Sequence, residues 1–343
     1  MANFDTAKLV KSQVKITRAF NAAELRFREP VVHKMFLRNT ALLIPQASET
    51  RDREDKPVTE FNYDIKQLRA LGSARSHNHT GVQGDSGVLT PTWATYTDKF
   101  VSSLKEADNK VMSLEDMHAN KMENFIANMA NGLEAAASGY LFANRSGVNV
   151  STSFGSFDAT DDTFEITETL YGNTAIDVTK SIMDINEYQG VGHTVVCDPI
   201  AFSKFKVLAA NGATNATNTA FQMGGVTFVN DITLTAAAAG LVSAYAKGYW
   251  IVVPDGSVAA PNWIPIQNVR GVNTTVANFG SLINPIDALQ YAVHTYETSA
   301  DASSIGGYLQ DVKLESEFSV DVAYVHAPMS TAGETPMMAF AFV

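Results

Sequence analysis

The chain has 343 residues, enough for one large or two ordinary domains with a sizeable core, and an ordinary soluble composition of 45% hydrophobic and 18% charged residues. Its single cysteine, Cys197, excludes an intrachain disulfide and a cysteine-based zinc site, and no apolar run approaches the roughly 20 residues that span a bilayer. The net charge of −11 is uneven: residues 1–75 hold 14 Lys and Arg against 9 Asp and Glu, the rest 11 against 27, so a basic first fifth, suited to contacting something negative, precedes an acidic body.

Met1 to Val14 lacks the charged-then-apolar pattern of a signal peptide, so folding in a cytoplasm is expected. Residues 1–45 alternate apolar clusters (Phe20, Leu25 and Phe27, then Val31, Val32, Met35, Phe36 and Leu37) with Arg26, Arg28, Glu29 and Pro30. Proline disfavours helix at Glu29, which predicts two short pieces hinged there, an arm carrying its own hydrophobic anchors. After the charged run Glu49 to Lys56, Phe61, Tyr63 and Ile65 alternate with Asn62, Asp64 and Lys66 as a strand would. Gly72 to Gly87 is rich in turn residues, and Val88 to Tyr96, carrying Trp93, returns extended. Residues 46–96 thus read as a long two-stranded arm. Such a hairpin is marginal alone in water, so it is expected to lie on another subunit. The inter-subunit contacts expected on these arms are Phe20, Arg26, Arg28, Phe36, Phe61, Tyr63, Ile65 and Trp93.

From Thr97 to Ala143 the pattern predicts one long amphipathic helix, with Phe100, Leu104, Val111, Leu114, Met122, Phe125, Met129, Leu133, Ala137 and Tyr140 at three- and four-residue steps. Thr97 is its expected N-cap, Glu106 and Lys110 an expected helical ion pair, and its length roughly 70 Å at about 1.5 Å per residue. Gly132, Ala136, Gly139 and Ala143 share a stripe, which predicts close approach of another backbone.

Ser146 to Phe164 reads as a polar, turn-rich stretch. Thr174 to Tyr188 is then an expected helix, His193 to Cys197 a buried strand, and Pro199 opens a helix over Ile200 to Leu208. Gly212 to Asn218 is an expected loop, Val226 to Val229 with Ile232 to Leu234 a hairpin around Asn230-Asp231, and Tyr249 to Val253 a strand ended by Pro254-Asp255-Gly256. Leu289, Tyr291, Val293 and Thr295, and then Val312, Leu314, Phe318, Val320, Val322 and Tyr324, alternate with polar residues. Both read as strands of an antiparallel sheet covering the long helix.

Chemistry-bearing motifs are few. Gly224-Gly225, Gly306-Gly307 and the Gly81, Gly84, Gly87 series lack the Lys-Ser/Thr pair of a P-loop and the context of a dinucleotide turn. His77-Asn78-His79 would aim two imidazoles one way, without a third ligand at a recognisable spacing. A metal-dependent hydrolase on His77 and His79 is the alternative from a different class. Asp158, Asp161, Asp162, Glu165 and Glu168 lack the spacing of an EF-hand, and Ser153-Phe154-Gly155 is not a nucleophile elbow. No catalytic, cofactor-binding or metal-binding residue is therefore expected. Lys8, Lys11, Lys15, Arg18, Arg26, Arg28, Lys34 and Arg38 are spread out, which suits weak, salt-sensitive contact with nucleic acid.

The order of basic arm, long β-arm, long helix, central mixed region (with Tyr249 to Ile264 as a strand-turn-helix) and long returning strands resembles the major capsid protein of tailed bacteriophages. That is the Hong Kong 97-type fold shared with encapsulin shells. The resemblance implies an α+β chain divided into an N-arm (1–45), an extended β-hairpin E-loop (46–96), the spine helix with the start of the P-domain (97–154), an axial A-domain (155–280), and P-domain strands with the C-terminus (281–343). It implies a structural, non-enzymatic coat protein forming pentamers and hexamers that close an icosahedral shell around viral dsDNA, with an encapsulin-like nanocompartment as alternative. Implied partners are a separate scaffolding protein and a portal during assembly, packaged DNA by weak contact, and a decoration protein outside, with no membrane. The implied location is the virion capsid, assembled in host cytoplasm.

Overall fold

The computed structural model describes residues 29–45, 47, 54, 61–64, 86–103, 106, 113–188, 191–209, 220–223, 226–274, 277–300, 311–329 and 333–343. In chain order, helix α1 (Val31–Leu43) is followed by strands β1 (Phe61–Asp64), β2 (Ser86–Leu89) and β3 (Ala94–Ser103) and by the spine helix α2 (Leu114–Ala143). Next come β4 (Gly155–Asp158), β5 (Thr163–Ile166), α3 (Glu168–Tyr171), α4 (Ala175–Ile185), β6 (His193–Cys197), α5 (Pro199–Ala209), β7 (Ala220–Met223), β8 (Val226–Asn230), α6 (Thr233–Ala239) and β9 (Tyr249–Pro254). The chain closes with β10 (Val258–Ala259), β11 (Asn262–Trp263), α7 (Ile266–Arg270), β12 (Ala277–Ile283), β13 (Gln290–Ala300), β14 (Asp311–Val322), β15 (Val325–His326) and β16 (Met338–Phe342).

The long helix starts later than its periodicity suggests. Residues 94–103 are strand: Tyr96, Asp98, Phe100 and Ser102 turn inward while Thr95, Thr97, Lys99 and Val101 are exposed. Over so short a run, Phe100, Val101 and Leu104 fit a helical step, and pairing with β14 overrides it, with Phe100 stacked on Phe318 at 5.6 Å. The true N-cap is Ser113, whose Oγ accepts the Asp116 amide at 3.1 Å and donates to Asp116 Oδ2 at 2.8 Å. Thr97 is therefore no cap, and the spine is about 45 Å long rather than 70. Glu106 pairs with Lys121 at 2.7 Å instead of completing a helical pair, and Lys110 lies outside the described residues.

The strands around β14 form an antiparallel sheet of order β11-β14-β13-β12, with β3 on the other side of β14. Its inner face (Tyr291, Val293, Phe318, Val320) lies against Phe125, Ile126 and Met129 of the spine, the antiparallel sheet on a helix expected from the alternation of β13 and β14. The second sheet has order β4-β5-β16-β9-β6-β8-β7, parallel between β5 and β16 and between β6 and β8. Its middle strands are buried on both faces and hence nearly all apolar. Tyr249, Ile251 and Val253 join the spine core, and Trp250 and Val252 join a second core under α4 and α5.

Four expectations change here. The hairpin around Asn230-Asp231 is a strand-to-helix junction, where Asp231 accepts the Thr233 amide at 2.8 Å as the chain turns from β8 into α6. Tyr249 to Ile264 continues into the short strands β10 and β11 rather than a helix. The C-terminal strand β16 inserts between β5 and β9, so the end of the 281–343 segment completes the sheet of the 155–280 segment. Conversely β11 and β12, within 155–280 for most of their length, belong to the sheet under the spine. Gly212 to Asn218 lies outside the described residues.

Candidate assembly surfaces

Helix α1 lies in the segment expected to be an N-terminal arm, and its apolar face is satisfied by its own chain. Val32 and Phe36 are fully buried, and the Phe36 ring meets Tyr324 and Tyr140 edge-on at 5.2 and 5.9 Å. Phe36 is thus corrected from an inter-subunit contact to a core residue, since two aromatic rings of the same chain close over it. Beside it, Glu134 of the spine accepts the backbone amides of Val32 and His33 at 3.0 and 2.9 Å. Burial, with Asp231 nearby, pushes the Glu134 carboxyl up to about 7 against the pull of those amides. Tyr324 donates its hydroxyl proton to Leu133 O at 3.0 Å, so His33, whose Nδ1 is 2.9 Å from that hydroxyl, donates from Nδ1. Its Nε2 is buried without a partner, and burial followed by the Lys34 charge brings the imidazole down to about 4.

The other expected contacts divide by place. Phe61 and Tyr63 fall on β1, in register with Leu89 and Gly87 of β2. Among the described residues no third strand joins this hairpin. Trp93 is half-buried at the entry to β3. Phe20, Arg26, Arg28 and Ile65 lie outside the described residues, as do His77 and His79.

Two outward faces stand out, the first containing Gly132, Gly139 and Ala143 of the small-residue stripe and the second not singled out by sequence. Asn124, Asn128, Gly132, Ala135, Gly139 and Ala143 form an uncharged exposed stripe along the spine. A Cβ built on Gly132 or Gly139 meets nothing within 4 Å, so no described backbone makes the close approach expected there. Where α5 lies against the second sheet, Ile200, Val207 and Leu208 of that helix and Phe342 of β16 line an open hollow of about 630 Å³, and Leu170 is 73% exposed on the segment between Glu168 and Gly172. Lys204 crosses this hollow, paired with Glu168, donating to Lys247 O at 2.7 Å and lying 4.8 Å over the Phe342 ring. Exposed apolar side chains of this kind are individually unremarkable, and only their grouping is visible in three dimensions.

The acidic residues near 160 serve the fold: Asp161 accepts the amides of Val242 and Ser243 at 3.1 and 2.9 Å, tying that loop to the β4–β5 hairpin. Among the described residues no group of three His, Cys, Asp or Glu is arranged to hold a metal, and no helix is long and apolar enough to cross a membrane.

A spine helix between two sheets, a paired arm leading into the edge strand of one of them, and a C-terminal strand closing the other define the Hong Kong 97-type fold of phage capsid subunits. Among solved structures, the Cyanophage A-1(L) capsid asymmetric unit aligns at a TM-score of 0.50 and 12% identity, covering 88% of this chain and 91% of that one. The capsid structure of the Cyanophage P-SCSP1u aligns at 0.46 with 11% identity and 85% of each chain, and the capsid of Ralstonia phage GP4 at 0.43 with 9% identity and 84% and 85%. No family model and no curated protein matches the chain.

Proposed function

We propose that this chain is the major coat protein of a tailed bacteriophage, assembling as pentamers and hexamers into an icosahedral shell around dsDNA. The observation that carries the reading is the fold, shared over nearly the full length with a phage capsid subunit. It is a structural role: binding energy is spread over surfaces between copies instead of concentrated in a pocket. The β1–β2 arm supports it, because two short strands joined by no third among the described residues need a neighbour to lie on. In this reading the arm crosses an adjacent subunit, residues 1–28 reach another, and the second sheet faces the capsomer axis. A scaffolding protein and a portal act during assembly in the host cytoplasm, DNA is held by weak contact, and decoration proteins bind outside.

Electron microscopy and sedimentation of the purified chain, alone and with its packaging partners, test this. Closed shells or ring-shaped capsomers are expected. A monomer under every condition, or open tubes, would remove the reading.

A further inference from the structure

The N-terminus of α1 is capped by nothing in its own sequence. Pro30 occupies the N-cap position and makes no side-chain cap bond, and no acidic residue lies in the first turn. The first helical amides can nevertheless be accounted for one by one. Val31 N bonds to Glu29 O at 2.9 Å, Val32 N and His33 N go to the two oxygens of Glu134, and Lys34 N opens the helical ladder on Pro30 O at 3.0 Å. Two of the orphan donors are therefore served by a side chain about a hundred residues away, on the spine.

The remaining supports of α1 also come from outside it. The Thr40 hydroxyl accepts the Ala260 amide at 2.8 Å, and the Asn39 side chain accepts the Gly256 amide at 3.3 Å. At its other end Ile44, not glycine, is the C-cap, and no basic residue stands in the last turn. A 13-residue helix beginning Val-Val-His, with threonine and asparagine in its second half, mixes weak with strong helix formers and is too short to persist in water without packing.

We infer that α1 is a conditional helix, folded only while docked, and that Glu134 is the clasp that couples its first turn to the spine. When α1 leaves the spine it loses its cap and its packing together, so it melts as it detaches instead of swinging out as a rigid rod. The device thus has two states: docked and helical, with the chain before residue 29 leaving from a defined point beside Glu134, or released and extended, with reach gained for that segment. At about 1.5 Å per residue as helix and about 3.3 Å extended, melting 13 residues roughly doubles the span α1 covers. The inference requires one chain only and stands apart from the coat-protein reading.

Hydrogen exchange on the full chain, read by mass spectrometry over residues 31–43, tests it. Glu134→Ala is expected to speed exchange of the α1 amides about tenfold while those of the spine and of β9 keep their protection. Equal acceleration of α1 and spine in Glu134→Ala would overturn the inference. Where Glu134→Ala does not fold, Glu134→Gln keeps the shape and one acceptor. It is expected to give a smaller acceleration confined to α1, and unchanged α1 exchange in Glu134→Gln would equally overturn the inference.

Discussion

Phe318 of β14 stacks on Phe125 of the spine helix with ring centroids 4.2 Å apart, and Phe318 is fully buried. The pair is where the helix and the sheet are joined, and Phe100 and Tyr291 surround it at 5.6 Å from Phe318 and 6.2 Å from Phe125. Phe318→Ala leaves a cavity between rigid elements and is expected to cost about 3–5 kcal/mol, with Phe318→Leu costing less than half as much. Denaturant titration followed by circular dichroism measures both.

Two glycines answer differently to an added methyl group. At Gly155 a Cβ would stand 1.9 Å from Glu165 O, inside the β4–β5 pairing, so Gly155→Ala must push the strands apart. A loss of more than about 2 kcal/mol is expected. At Gly132 the same atom meets nothing within 4 Å, and Gly132→Ala is expected to raise stability by about 0.5–1 kcal/mol, because alanine is the better helix former. Thermal melts of the two variants should move in opposite directions.

Glu134 and His33 give opposing pH dependences. With its carboxyl near 7 when docked and an ordinary value near 4.5, Glu134 favours the docked state fully below pH 4.5 and loses that contribution as pH rises to 7. His33, near 4 when docked against an ordinary 6.5, favours docking above 6.5 and loses that contribution as pH falls to 4. Between pH 4.5 and 6.5 the two nearly cancel, which predicts a flat profile for the native chain. Glu134→Gln should uncover weakening on acidification, and His33→Asn strengthening, each approaching about 3 kcal/mol across its window. Unfolding midpoints measured from pH 4 to 8 decide it.

Asp64 and Ser86 are the last registered pair of the β1–β2 arm. Replacing residues 65–85 by Asn-Gly closes the arm with a two-residue turn that suits antiparallel strands. The replacement removes none of the described core residues, so stability is expected to stay within about 1 kcal/mol by denaturant titration. Particle formation, followed by sedimentation, is expected to be lost.

Periodicity by itself determined the elements whose neighbours only reinforce it: β13 and β14 with their apolar and wet faces, the buried strand His193–Cys197, the helix opened by Pro199, and the spine from Leu114 to Ala143. Together with the basic arm, their order was enough to indicate the fold class. The start of the spine was also written locally, in Ser113-x-x-Asp116, but a longer apolar pattern running through Phe100 and Leu104 masked it. Tertiary structure alone decided the rest. Residues 94–103 are strand because β14 offers a ladder, Phe36 is core because Tyr140 and Tyr324 close over it, and Met338–Phe342 lies mid-sheet because β5 and β9 leave one strand's width between them. Glu134, an unremarkable acid on a helix in sequence, acquires its role from the uncapped start of α1, a hundred residues earlier. A residue's partner across the fold carries no local signal, because burial and hydrogen bonding at such sites are set by chain segments that meet only on folding.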